Sequence, residues 1–198
     1  ENLGKAGTLI VAHDNVRERL STDQSMPFFG RDVPASPAAA LPVVTFSDAL
    51  SFHLNGEDIR ALHFPAAHTD GDAVVHFRGS NVVHMGDIYF NGLYPFIDSG
   101  SGGSIRGMVT AIDDVLPLMD ADTRVIPGHG PLSNREELAA YRNMLADVAD
   151  RIGTLIAGGK DLAAIQATAP TASYDADWGG GFIDAETWVR MIVEDLSR

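Results

Sequence analysis

Between residues 43 and 87 the chain consists largely of short, valine-rich apolar runs separated by tight turns, and that stretch limits the fold more than any other feature. Val43 to Phe46, Leu50 to Leu54, Ile59 to Phe64, Ala73 to Phe77 and Asn81 to Met85 are each too short for a stable helix. Asn55-Gly56 is a two-residue hairpin signal, because both residues tolerate the positive φ that such a turn requires. Arg78-Gly79-Ser80 marks a second hairpin. The near-continuous apolar character of these strands is expected where helices cover a sheet face.

Flanking segments complete the pattern. Leu9 to Ala12 predicts a strand ending at His13, with Asp14 placed to cap a helix from Asn15 to Leu20. Ser21 to Pro42 holds four prolines, Phe28-Phe29 and Gly30, a long irregular excursion of the kind that is usually functional or mobile. After Asp87 the texture changes to a glycine-rich loop, Asn91 to Gly103, and then to helical spacing at Ile105, Met108, Val109, Ile112, Val115 and Leu116. Thr123 to Ile126 predicts one more strand. Ser133 with Glu136 reads as a capping box opening a long helix that carries Leu138, Tyr141, Met144, Leu145, Val148 and Ile152 on one stripe. Asp161 opens a short helix, and Ala185 to Leu196 forms the last. Strands, a helix, one strand and more helices, without repeats, predict a single α+β layered domain over residues 1–198.

Bulk properties narrow the functions. The 198 residues are 45% hydrophobic and 21% charged, ordinary for one globular domain. A formal net charge of -13 disfavours nucleic acid and anionic lipid as partners and does not bear on a small-molecule substrate, since a local metal pair can reverse the field inside a cleft. Cysteine is absent, so His, Asp and Glu are the strong metal ligands available. No apolar run is long enough for a transmembrane helix. A soluble protein of the cytoplasm or periplasm is expected, and cysteine usage does not choose between them.

Seven histidines occur, at positions 13, 53, 63, 68, 76, 84 and 129. His53 and His63 read as solvated strand positions, His13 as a surface or loop residue, and His76 and His84 as strand residues. Three polar turns directly after strands stand apart: Ala67-His68-Thr69-Asp70-Gly71-Asp72, His84-Met85-Gly86-Asp87 and Pro127-Gly128-His129-Gly130-Pro131. Such loops gather distant residues at one sheet edge, and their glycines permit close backbone approach.

These three turns, in this order and spacing, resemble the third, fourth and fifth motifs of the metallo-β-lactamase-fold hydrolases. The resemblance extends over nearly the whole chain up to the helix after Ser133. It implies a four-layer αββα sandwich with a binuclear metal site, usually zinc, at one edge. It implies His68 as ligand to the first metal, Asp87 as bridging carboxylate and His129 as ligand to the second. With oxygen donors in place of a thiolate, iron or manganese are alternatives. The activity implied is attack of a metal-bound hydroxide on an ester, thioester, lactone or lactam.

The family's earlier His-x-His-x-Asp-His motif does not occur in these residues, whereas Asn2-Leu3-Gly4-Lys5-Ala6-Gly7 is similar to the stretch that follows it. The chain is therefore expected to lack the N-terminal part of the sandwich. About six strands are legible, roughly half of what the sandwich needs. An apolar sheet face is then expected to be left for a missing segment or another chain to cover. The ligands present would hold metal weakly, so the chain alone is expected to be inactive. A metal-deficient relative that binds without cleaving is the alternative reading.

Around this centre, Asp70, Asp72 and His84 are candidates to hydrogen-bond a ligand histidine and fix its tautomer, with a turn or helix-cap role for the aspartates and structural packing for His84 as the alternatives. Tyr89, Phe90, Tyr94, Pro95 and Phe96 are candidates to wall a substrate cleft, with core packing as the alternative. Phe28 and Phe29 are candidates for a lid. Gly100-Ser101-Gly102-Gly103-Ser104 reads as a loop and helix cap, since it lacks a phosphate-loop lysine.

Overall fold

The computed structural model describes residues 1–198. It opens with one helical turn, α1 (Asn2–Lys5), strand β1 (Val11–His13) and helix α2 (Asp14–Leu20). The cap of α2 is His13 rather than Asp14, its ring Nδ1 accepting from Asn15 N at 3.2 Å. The proline-bearing excursion is partly ordered into a small hairpin, β2 (Gln24–Met26) and β3 (Arg31–Val33), with Phe28 and Phe29 at its tip. Strand β4 (Val44–Phe46) then pairs in parallel with β1.

The remaining strands are β5 (Ala49–Leu54), β6 (Glu57–His63), β7 (Ala73–Phe77) and β8 (Val82–Phe90), followed by helix α3 (Ile105–Val115) and strands β9 (Arg124–His129) and β10 (Ser133–Asn134). They form one six-stranded sheet in the order β10-β9-β8-β7-β6-β5. Neighbours are antiparallel except for β8 and β9, which are parallel and joined through α3. Asn55 and Gly56 take φ of 56° and 74°, as the hairpin between β5 and β6 demands.

Helices α4 (Arg135–Ala157), α5 (Leu162–Gln166), α6 (Asp175–Trp178) and α7 (Ala185–Leu196) close the chain. The α4 cap is Asn134, whose Oδ1 accepts from Glu136 N and Glu137 N. Ser133 is spent elsewhere: its hydroxyl is 2.8 Å from Tyr89 Oη and 2.8 Å from Glu137 Oε2.

Register decides what each sheet face buries. Leu62, Val74, Val83, Met85 and Val125 share one face and belong to the main core, with Met108 and Ile112 of α3, Leu145 and Ile152 of α4 and Trp188 of α7. The opposite face carries Phe52, Ile59, Val75, Phe77, Val82 and Ile126, none of which joins that core and all of which stay partly exposed. The β1–β4 pair meets this second face at one corner, where His13 stacks on His63 with ring centroids 3.6 Å apart. The chain therefore supplies one large sheet, its helical layer and a small strand pair.

His13 is buried, not a surface or loop residue. Its Nε2 lies 2.9 Å from Ser47 O, so the ring joins β1, α2 and the segment after β4. His63, expected to be solvated, is partly buried beneath it and contacts Asp72 O at 2.9 Å through Nδ1.

Candidate metal centre

Each of the three turns identified in the sequence leaves the sheet at the same edge. His68 lies in the loop between β6 and β7. Its carbonyl accepts from Asp98 N at 3.0 Å, and the carbonyl of Ala67 accepts from Ser104 N at 2.9 Å, so the loop after β8 clamps it. Gly103 is required for that clamp: a Cβ there would lie 2.1 Å from His68 O.

The His68 ring is oriented by Phe96 O, 2.8 Å from Nδ1. A carbonyl only accepts, so Nδ1 carries the proton and Nε2 presents its lone pair. Nε2 lies 3.7 Å from Asp87 Oδ2.

Asp87 sits in β8 where the pairing with β9 shifts register on either side of Gly86, whose φ is +54°. This irregularity re-aims the strand. Gly128 of β9 approaches so closely that a Cβ there would stand 2.2 Å from Asp87 Oδ1. His129 ends β9, its ring stacked on Phe90 with centroids 4.6 Å apart and its Nε2 3.5 Å from Asp87 Oδ1. Its carbonyl accepts from Asn91 N at 2.8 Å, tying the ends of the two parallel strands together.

Thus the two imidazoles address different oxygens of one carboxylate. Both separations are too long for a hydrogen bond. They are shorter than two zinc–ligand bonds of about 2.0–2.2 Å laid end to end, so an ion fits between each pair. Each position nevertheless receives one imidazole and one carboxylate oxygen, and no group of three or more His, Asp or Glu side chains closes around a common point.

Most of the neighbouring candidates take turn, pairing or packing roles. Asp70 does not reach a ligand ring; its carboxylate takes a two-pronged contact from Arg19, at 3.1 Å from Nε and 2.6 Å from the terminal nitrogen. Asn15 Nδ2 donates to Asp70 O at 2.9 Å, so α2 holds the His68 loop from outside. Sequence reading missed Arg19, because nothing local pairs it with a residue so far along the chain. Asp72 closes its own turn, accepting from Thr69 N at 2.9 Å and Thr69 Oγ1 at 2.8 Å, while burial raises its pKa. The tautomer of His68 is set by Phe96 O instead.

His84 accepts from Gly86 N at 3.1 Å and lies on the second sheet face, shaping the bulge rather than orienting a ligand ring. Tyr89 and Tyr94 are fully buried and cannot wall a cleft. Tyr89 Oη meets Ser133, and Tyr94 Oη donates to Asp175 at 2.8 Å while its ring stacks on Trp188. Burial pushes the Tyr89 hydroxyl up to about 12 and raises that of Tyr94 as well. Phe96 does face the site, its ring 5.8 Å from that of His68.

No family model and no curated protein matches the sequence. Among solved structures, a metallo-β-lactamase from Pontibacter korlensis aligns over 74% of this chain and 61% of its own, at 15% identity and a TM-score of 0.57. A double mutant of the sec-alkyl sulfatase PisA1 aligns over 98% of this chain and 37% of its own, at 16% identity and a TM-score of 0.66. TTHA1623 in a di-iron-bound form aligns over 69% and 65%, at 23% identity and a TM-score of 0.52. The chain thus spans less than two thirds of each of these proteins. Likeness at such low identity speaks to architecture, and by architecture this chain has the metallo-β-lactamase fold.

Proposed function

We propose that the chain contributes part of a binuclear metal centre to a metal-dependent hydrolase. The observation that carries this reading is the pair of imidazole nitrogens set 3.7 and 3.5 Å from separate oxygens of Asp87. His68 and one Asp87 oxygen would hold the first ion, with His129 and the other oxygen holding the second. Zinc is the first expectation, with iron or manganese compatible with the same donors. When bound, such ions lower the pKa of water and polarise a carbonyl or related group.

The chain's own residues then have defined tasks. Asp87 fixes the spacing of the two positions. The carbonyl of Phe96 keeps His68 in the tautomer that leaves Nε2 free, and Phe90 supports the His129 ring. The substrate proposed is an ester, thioester, lactone or lactam. Catalytic zinc sites usually take three protein ligands, so the remaining donors are proposed to come from a further segment or another chain. That same element would cover the apolar second face of the sheet.

The test is a zinc titration followed by the ring resonances of the histidines. His68 and His129 should shift together, weakly, and Asp87→Asn should abolish the response. Unmoved rings at saturating zinc would sink the metal centre, and tight uptake of two ions per chain would sink the proposed incompleteness. A second reading, a metal-deficient relative that binds without cleaving, draws on the absence of any three-ligand cluster. Turnover of a simple ester by the fully liganded protein separates the two.

A further inference from the structure

Beside the candidate centre lies a cavity of about 350 Å³ that none of the three ligands lines. Its size falls within the range of about 300–1,000 Å³ typical of small-molecule sites. It is lined by Phe28 and Phe29 of the β2–β3 hairpin tip, by Phe96 and by Met191 of α7. The three phenyl rings touch, Phe96 lying 4.9 Å from Phe28 and 5.3 Å from Phe29. Phe96 is also the ring beside His68, so the cavity starts one side chain away from the candidate metal ligand.

The two tip phenylalanines behave unlike core residues. They remain 40% and 46% exposed although they pack on each other and on Phe96. Arg31 backs Phe29 from outside, its guanidinium 5.6 Å from the ring centroid, and Gly30 in the left-handed region turns the chain sharply behind them. Large apolar rings held in place yet left half in water gain from covering by an apolar group. The polar lining supplies no net charge for selection, because two acids, Asp98 and Glu194, are matched by two arginines, Arg190 and Arg198.

We propose that this cavity holds the apolar chain of the substrate. This deepens the hydrolase reading and rests on it: the compound processed is an ester-type molecule carrying an extended alkyl or aryl group, with its reactive end toward His68. Phe28 and Phe29 are the specificity-determining residues, and the β2–β3 hairpin is the element that presents them.

The test uses a series of straight-chain primary alcohols, neutral probes that need no metal, titrated into the protein and followed by aromatic-region NMR. Affinity should rise about two- to fourfold per added methylene, as expected for burial of a methylene group. The resonances of Phe28, Phe29 and Phe96 should move. The double variant Phe28→Ala/Phe29→Ala, whose sites are exposed enough for the fold to survive, should bind the longest alcohol at least tenfold more weakly. Asp87→Asn should bind it as the parent does. Affinity independent of chain length, or equal in the double variant, would overturn the proposal. Chain-length-dependent binding together with failure of the zinc titration would refute the metal reading alone and leave an apolar-ligand site.

Discussion

At the scale of single residues, the centre depends on atoms that must not be there as much as on those that are. Gly128 is the sharpest case, since a methyl group on its Cα would fall 2.2 Å from Asp87 Oδ1 and 2.6 Å from Gly86 O. Gly128→Ala should therefore displace the carboxylate and erase the joint response of His68 and His129 to zinc, while far-ultraviolet circular dichroism stays near that of the parent. An unchanged zinc response would show that the strand ends can separate without disturbing Asp87. The tyrosines make a different prediction. The Tyr89 hydroxyl titrates near 10 when unfolded and at about 12 in the fold, because burial outweighs its bond to Ser133. A raised pKa gives stability that is complete below the unfolded value and lost as pH rises through the folded one. Thermal stability should thus fall between pH 10 and about 12, more gently in Tyr89→Phe, with tyrosinate absorbance reporting the titration. His68, Asp87 and His129 were legible as candidates because each sits in a local glycine-bearing turn. The roles of Arg19, His13 and the Phe96 carbonyl were not, since each acts on a partner distant in sequence.

At the scale of elements, turn and cap chemistry carried most of the readable signal. The β5–β6 hairpin follows Asn55-Gly56, and the long stripe from Leu138 to Ile152 is the buried side of α4. Boundaries and caps shifted wherever two neighbouring residues could do the same job. Ser133 and Asn134 are both good caps, and the tertiary demand of Tyr89 and Glu137 for the Ser133 hydroxyl left the cap to Asn134. Asn134→Ala should accordingly cost about 1 kcal/mol. In a chain of this length that corresponds to a melting temperature lower by about 2–4 °C. Ser133→Ala should instead disturb the environment of Tyr89, visible in near-ultraviolet circular dichroism, and leave the start of α4 intact. The Ser21 to Pro42 excursion was readable only as irregular. Its β2–β3 hairpin is too short and too polar at its strand positions to announce itself by alternation.

At the scale of the whole molecule, the uneven treatment of the two sheet faces governs behaviour in solution. One face is sealed by α3 and α4, whereas Phe52, Ile59, Val75, Phe77, Val82 and Ile126 present a partly exposed apolar surface on the other. No helix of the chain is long and apolar enough to cross a membrane. The expected outcome is concentration-dependent association in sedimentation experiments together with binding of a hydrophobic dye, both reduced by Val75→Lys. A strictly monomeric chain that ignores the dye would show that β1 and β4 shield the face adequately. The layered α+β architecture was legible because period-two and helical spacing alternate cleanly along the chain; the count of strands was not, since β2, β3 and β10 are two or three residues each and too short to show a period. The parallel β8–β9 pair has one more consequence, for the timing of assembly. These neighbours meet only after the intervening segment with α3 has been closed into a loop, an entropically slow step compared with zipping the adjacent hairpins β5–β6, β6–β7 and β7–β8. Asp87 and His129 belong to that pair, so they come together late in folding. Transient parting of β9 from β8 would likewise dismantle the centre while the hairpins remain closed. In hydrogen exchange, the amide protons of β9, of which Pro127 carries none, should open more readily than those of β6 and β7.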